Sequence, residues 1–203
     1  MKTVILANGK FPKTKKTLEI LNSANRIICC DGATENLIRY GLEPSLIIGD
    51  LDSISQNIKF KYKNLIHQVE EQNTNDLTKA VNWCVDNNIL EFDILGATGK
   101  REDHTIANIS LLSKYAEHAK ARIISDYGIF TAITQTSVFK SYKGQQVSIF
   151  AMNPESKITS TGLKYPLKNI KLPNWWNGTL NEAIAEKFSL NFEAGRYIVY
   201  MLY

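Results

Sequence analysis

Short apolar runs alternate with helical patterns along the first 125 residues. Residues 3–8, 26–31, 46–49, 92–96 and 122–125 are short runs rich in Ile, Leu and Val, the composition of strands buried on both faces. Residues 14–24 and 34–40 between them carry helical spacing, the second ending at Gly41, a residue suited to closing a helix. The clearest helix spans 75–87, where Leu77, Ala80, Val81, Cys84 and Val85 fall on one face. Residues 105–119 form the next, with Ile106, Ile109, Leu112 and Ala116 expected on one side. Alternation of this kind predicts a parallel sheet covered by helices.

The period changes after about residue 126. Segments 130–134, 137–142, 146–152 and 157–161 are short, β-branched and aromatic, with turn residues between them. Phe188, Leu190 and Phe192 alternate with Ser189 and Asn191. Glu193-Ala194-Gly195 reads as a hairpin turn and 196–203 as the returning strand. Residues 180–186 are expected to form a helical turn. The fold class is therefore α/β plus all-β. A parallel-sheet α/β domain occupies 1–125 and a small antiparallel β-sandwich occupies 126–203.

Bulk composition narrows the function. The net charge of +4 is small and scattered, which argues against a nucleic-acid partner. No apolar run approaches the roughly 18 residues of a membrane span, and the apolar start is too short for a secretory signal. Cys29, Cys30 and Cys84 have no metal-binding spacing. They read as reduced, buried thiols of a cytoplasmic protein.

In open parallel sheets, ligands bind beyond the carboxyl ends of the strands. Those ends carry Ala7-Asn8-Gly9, Asp31-Gly32-Ala33, Gly49-Asp50-Leu51-Asp52-Ser53 and Gly96-Ala97-Thr98-Gly99-Lys100-Arg101-Glu102-Asp103-His104. In an extended chain Asp50 and Asp52 point to one side. Two carboxylates about 4 Å apart repel by roughly 4 kcal/mol at an effective dielectric of about 20. Separation in water, protonation or a bound cation each relieves that, and Mg²⁺ suits hard oxygen ligands that also meet substrate phosphates. A solvated Asp-x-Asp turn is the plain alternative. The turn at 96–101 brings glycine backbone toward an anion at a helix start, yet it lacks the P-loop ending. Arg101 offers a charged fork suited to phosphate or a surface ion pair with Glu102 or Asp103. Asp103 and Asp76 stand near helix starts, where capping or dipole stabilisation alone would explain them.

Taken in order, these stretches resemble thiamine pyrophosphokinases. The matching series is Asp31-Gly32-Ala33, Pro44, Ile48-Gly49-Asp50-Leu51-Asp52-Ser53, Asp76-Leu77-Thr78-Lys79-Ala80 and Gly96…Gly99-Lys100-Arg101-Glu102-Asp103-His104…Asn108. Ser160-Thr161-Gly162-Leu163-Lys164-Tyr165 and Gly178-Thr179-Leu180-Asn181-Glu182 match more loosely. The resemblance implies a homodimer that transfers the pyrophosphoryl group of ATP to the hydroxyl of thiamine, giving thiamine diphosphate and AMP with Mg²⁺. It implies that Asp50, Asp52 and Asp76 hold the metal. Arg101 would stabilise charge, with Asp103 assisting or orienting it. Asp52 would be first choice to accept the thiamine proton. Asp31, Ser53, Gln72, Thr98 and His104 would line the ATP side with Arg101. Tyr165 would stack on the flat cationic thiamine, and Asn181 would hydrogen-bond its pyrimidine.

Two positions depart from the pattern. Asn73 and Asn75 stand where relatives often carry Asp and Thr. Asn75 can still cap a helix, whereas Asn73 removes a charge. Trp175-Trp176 has no assigned place. Two other readings share the same residues. One is a different Mg²⁺-dependent phosphoryl transferase or phosphohydrolase, and the other is a non-catalytic nucleotide or thiamine sensor.

Overall fold

The computed structural model describes residues 1–203. The chain forms two compact units, one of Met1–Leu111 with His118–Asp126 and the other of Leu112–Glu117 with Tyr127–Tyr203.

The first unit opens with β1 (Thr3–Leu6), α1 (Lys15–Asn22), β2 (Arg26–Cys30), α2 (Ala33–Tyr40) and β3 (Leu46–Gly49). It continues through α3 (Gln56–Lys61), β4 (Ile66–Gln68), α4 (Asp76–Asp86), β5 (Glu91–Leu95), α5 (Glu102–Tyr115) and β6 (Lys120–Ile124). Its strands pair in parallel in the order β6-β5-β1-β2-β3-β4. The order reverses direction between β1 and β5, the switch point at which such sheets open a crevice. Strands β1, β2, β3 and β5 are largely buried, as a sheet covered on both faces requires, whereas β4 and β6 carry exposed polar residues.

Three details differ from the sequence reading. Helix α3 and strand β4 lie where no element is predicted, because the 56–68 segment mixes lysines into a weak apolar pattern. Helix α5 starts earlier than expected, at Glu102. Its inner side carries Asn108, Leu112, Ser113 and Tyr115, while Ile106 is 56% exposed. A polar residue takes the inner face there for a reason given below.

The second unit contains β7 (Gly128–Ile133), β8 (Ser137–Lys140), β9 (Gln146–Ala151), β10 (Lys157–Thr161), β11 (Ile170–Lys171), β12 (Asn181–Glu182), β13 (Lys187–Asn191) and β14 (Tyr197–Leu202). Within it, β12-β9-β14-β7 and β11-β10-β13-β8 form two antiparallel layers. Ile133, Val147, Ile149 and Val199 from the first layer and Ile158, Phe188 and Leu190 from the second share one core. That arrangement is a β-sandwich, as the alternation predicts. Residues 180–186 are not helical: β12 and the Leu163–Ala183 bridge use them as ladder. Trp175–Gly178 forms a 3₁₀ turn in which the Trp175 ring meets Phe150 edge-on at 5.9 Å.

Candidate functional site

Beyond the ends of β1 and β5 lies a cleft of about 280 Å³. The two chains continue to pair past their strands: Ala7 N–H donates to Leu95 O at 2.8 Å, Gly9 N–H to Gly96 O at 2.7 Å and Lys10 N–H to Thr98 O at 2.8 Å. A Cβ on Gly9 would lie 2.3 Å from the Gly96 carbonyl oxygen, so this seam admits only glycine. The cleft is bordered by Asn8, Cys30, Ser53, Asp76, Thr98, Arg101 and His104, among others.

On one side three aspartates converge. One carboxylate oxygen each from Asp31, Asp50 and Asp76 lies within 4.8 Å of the others. Asp31 directly follows β2, Asp50 directly follows β3 and Asp76 begins α4. β2 and β3 are neighbours, and the Asp31 N–H extends their ladder to Ile48 O at 2.8 Å. Gly49 makes the convergence possible. A Cβ there would stand 2.8 Å from Asp31 Cβ and 3.3 Å from the Asp76 carboxyl carbon.

Charge is concentrated unevenly in this group. Asp31 is buried, and its Oδ1 has no hydrogen-bond partner. Burial first, then the charges of Asp76, Asp52 and Asp50, push its pKa up to about 6 against the pull of the Ser53 N–H. Burial likewise raises Asp76, opposed by the ammonium of Lys79 at 3.2 Å. The Lys79 side chain is only 3% exposed. Asp50 is held below the usual carboxylate range by the Asp52 N–H and by Gln72, whose Nε2 donates at 3.2 Å. A buried carboxylate oxygen without a donor, facing two more carboxylates, fits a divalent cation with hard oxygen ligands. Asp31, Asp50 and Asp76 are the residues that would hold it.

Asp52 lies beside this triplet, outside its 4.8 Å group, and its charge adds to that felt by Asp31 and Asp76. Its exposed carboxylate accepts from the Ser53 hydroxyl at 2.8 Å. The strand stops at Gly49, and Leu51 turns into the left-handed region at φ 71°. The side chain of Leu51 is buried with Ile47, Ile54 and Tyr62. Burying a leucine is worth about 1.5–3 kcal/mol, against roughly 1–2 kcal/mol for the left-handed backbone. The anchor prevails and the chain leaves the strand after Asp50, yet Asp52 stays close, its N–H donating to Asp50 Oδ1 at 3.2 Å. Lys79 and Asp31 are the members of this cluster that sequence reasoning did not place in it. The three-residue spacing from Asp76 to Lys79 on a helix is a signal for the first. Asp31 needed the strand order.

On the other side, Arg101 and Asp103 pair as fork to fork, Nε to Oδ1 at 3.0 Å and NH2 to Oδ2 at 2.5 Å. Both are exposed, and the guanidinium holds the Asp103 carboxyl below its ordinary range. Asp103 thus orients Arg101. It lies inside the first turn of α5, where its Oδ1 also accepts the His104 N–H at 2.9 Å. Thr98 and His104 border the cleft with Arg101, and Ser53 faces them from the aspartate side.

In the second unit, Tyr165 is 60% exposed, with the Lys164 ammonium 5.9 Å from its ring centre. Asn181 is buried, and its amide is taken up by Tyr165 itself. Oδ1 accepts the Tyr165 N–H at 3.1 Å and Nδ2 donates to the Tyr165 carbonyl at 2.8 Å. Asn181 therefore fixes the backbone that presents the aromatic ring.

Two family models match the chain in sequence order. "Thiamin pyrophosphokinase, catalytic domain" matches residues 17–125, and "Thiamin pyrophosphokinase, substrate-binding domain" matches 128–200. The chain is 28% identical over 181 residues to a thiamine pyrophosphokinase of Bacillus subtilis, covering 83% of this chain and 83% of that protein. It is 28% identical over 184 residues to thiamin pyrophosphokinase 1 of Caenorhabditis elegans, covering 83% and 75%. The solved structure of thiamine pyrophosphokinase from Bacillus subtilis superposes with a TM-score of 0.82 at 26% identity, over 99% of each chain. With both halves matched over most of its length, the chain belongs to the thiamin pyrophosphokinase family.

Proposed function

We propose that the aspartate-lined cleft binds ATP with Mg²⁺ and passes its pyrophosphoryl group to the hydroxyl of thiamine, releasing AMP. The observation that carries this is a cleft at the strand ends bordered by the glycine turn, Arg101 and Asp76, with Asp76 one of three converging carboxylates. Phosphoryl-type transfer needs mainly positioning and charge stabilisation. A divalent cation held by Asp31, Asp50 and Asp76 would neutralise charge on the triphosphate. Arg101, oriented by Asp103, supplies a second, permanent positive charge. Thr98 and His104 border the nucleotide side, while Gln72 acts on Asp50 and Ser53 acts on Asp31 through its N–H. Asp52, exposed beside the triplet, is our candidate acceptor for the thiamine proton. In the second unit Tyr165 offers a ring face to a flat cation, and Asn181 holds that face in place.

The test is product identity. Purified protein with ATP, Mg²⁺ and thiamine should yield thiamine diphosphate and AMP in equal amounts. ADP or free phosphate in place of AMP would keep the metal site and discard the reaction. Omitting the metal should abolish turnover.

We also read the protein as a cytoplasmic homodimer. Three free, buried cysteines suit a reducing compartment. No helix is long and apolar enough to cross a membrane. Tyr165, Trp176, Leu180 and Ile184 expose apolar surface on the second unit, the kind of surface an oligomer covers. Sedimentation equilibrium should give twice the chain mass; a fully active monomer would refute the dimer.

A further inference from the structure

Helix α4 begins at a candidate metal ligand, and Asn75 caps it. Asn75 Oδ1 accepts from the Thr78 N–H at 2.9 Å and from the Thr78 hydroxyl at 2.8 Å. Serine or aspartate would satisfy the helix end equally well, and threonine or glycine nearly so. The amide does something more. Asn75 Nδ2 donates to Asn108 Oδ1 at 3.1 Å. Asn108 lies on the inner face of α5 and is 9% exposed. Its own Nδ2 donates to the Ala97 carbonyl at 2.8 Å.

The row Asn75–Asn108–Ala97 therefore joins two walls of the cleft. One end adjoins Asp76, and the other adjoins Thr98 in the glycine turn. Each amide accepts through its oxygen and donates through its nitrogen, so the row has one direction and its arms are matched. The row also accounts for the polar residue on the inner face of α5. Leucine at 108 would pack there but would leave the Ala97 carbonyl without its donor.

We propose that Asn75 and Asn108 are positioning residues, fixing the separation between the metal-side aspartate and the phosphate-side turn during transfer. The proposal rests on the ATP–metal reading above. Neither residue need touch a reacting atom. Displacing a catalytic group by about 1 Å can cost on the order of a hundredfold in rate.

Asn75→Gly separates the two roles, because glycine is well tolerated at a helix N-cap and deletes the donor without adding a hydroxyl or a charge. We expect kcat to fall at least about tenfold, with KM for ATP and thiamine moving less than about threefold. The thermal midpoint should stay within about 3 °C of the wild type. Asn108→Ala should cause at least as large a loss, and the double variant should be no worse than Asn108→Ala alone. An unchanged kcat in Asn75→Gly overturns the proposal, as does a loss carried by KM or one that follows a fall in thermal midpoint. If the wild type makes no thiamine diphosphate, the reaction reading fails while the row remains testable. Binding of a non-hydrolysable ATP analogue is then measured with and without Mn²⁺. Tightening by the metal that shrinks at least about fivefold in Asn75→Gly supports the row; equal tightening overturns it.

Discussion

Asp31, Asp50 and Asp76 meet because the residue between them and the sheet has no side chain. Gly49→Ala would place a methyl group 2.8 Å from Asp31 Cβ and against the Asp76 carboxyl. The fold has room to absorb this only by parting the aspartates. We expect Mn²⁺ affinity to fall about tenfold or more, with little change in the far-UV spectrum. Isothermal titration checks it, and unchanged affinity would mean the triplet is not the cation site. Leu51 marks the limit of local reasoning at this scale. Strand alternation aligns Asp50 with Asp52, but alternation holds only while the chain stays extended. A buried leucine with a left-handed backbone ends that condition after one residue. Nothing in an isolated Asp-Leu-Asp string reveals that the leucine is an anchor, since its partner Tyr62 lies in an unpredicted segment.

Elements are tied together by side chains at their ends, and α1 is an example. Asp126, just after β6, accepts from the N–H groups of Lys13 and Thr14 at 2.9 and 3.1 Å and from the Thr17 hydroxyl at 2.7 Å. Burial opposes the charge of Asp126, yet these donors outweigh it and set its pKa below the ordinary 3.8. A depressed carboxylate stabilises the fold above its unfolded pKa and loses that contribution as pH falls through the folded value. The wild type should therefore lose more thermal stability than Asp126→Asn between about pH 6 and pH 3. Parallel melting curves across that range would disprove the role. Helix α4 was legible in advance because its apolar face and its cap lie within one short stretch. Helix α5 was less so. Its inner face includes Asn108, chosen for a carbonyl eleven residues earlier in the chain, and hydrophobic spacing carries no trace of that.

At the scale of the whole molecule, the change of period near residue 126 separated the α/β and β-rich portions correctly in kind. The strand-end residues pointed to one edge of the sheet without giving the order of strands. That order is what puts Asp31 beside Asp50, and it depends on long-range pairing between β2 and β3. The second unit shows the same limit: residues 180–186 have helical composition but pair with 146–147 and with Leu163. Tertiary pairing overrode local preference there.

Cys30 borders the same cleft and is 2% exposed, its thiol pushed well above the ordinary value by burial and by the neighbouring negative charges. Cys29 and Cys84 are pushed up to about 12, chiefly by burial. The thiolate is the reactive form, so alkylating reagents find nothing to attack while the sheet is closed. The protein thereby carries its own clock for opening. The rate of iodoacetamide labelling should report how often β2 and α4 open to expose these thiols. Nucleotide with Mg²⁺ should slow that labelling at least about tenfold by favouring the closed state. Labelling as fast as that of a free thiol would show that the floor of the site is never sealed.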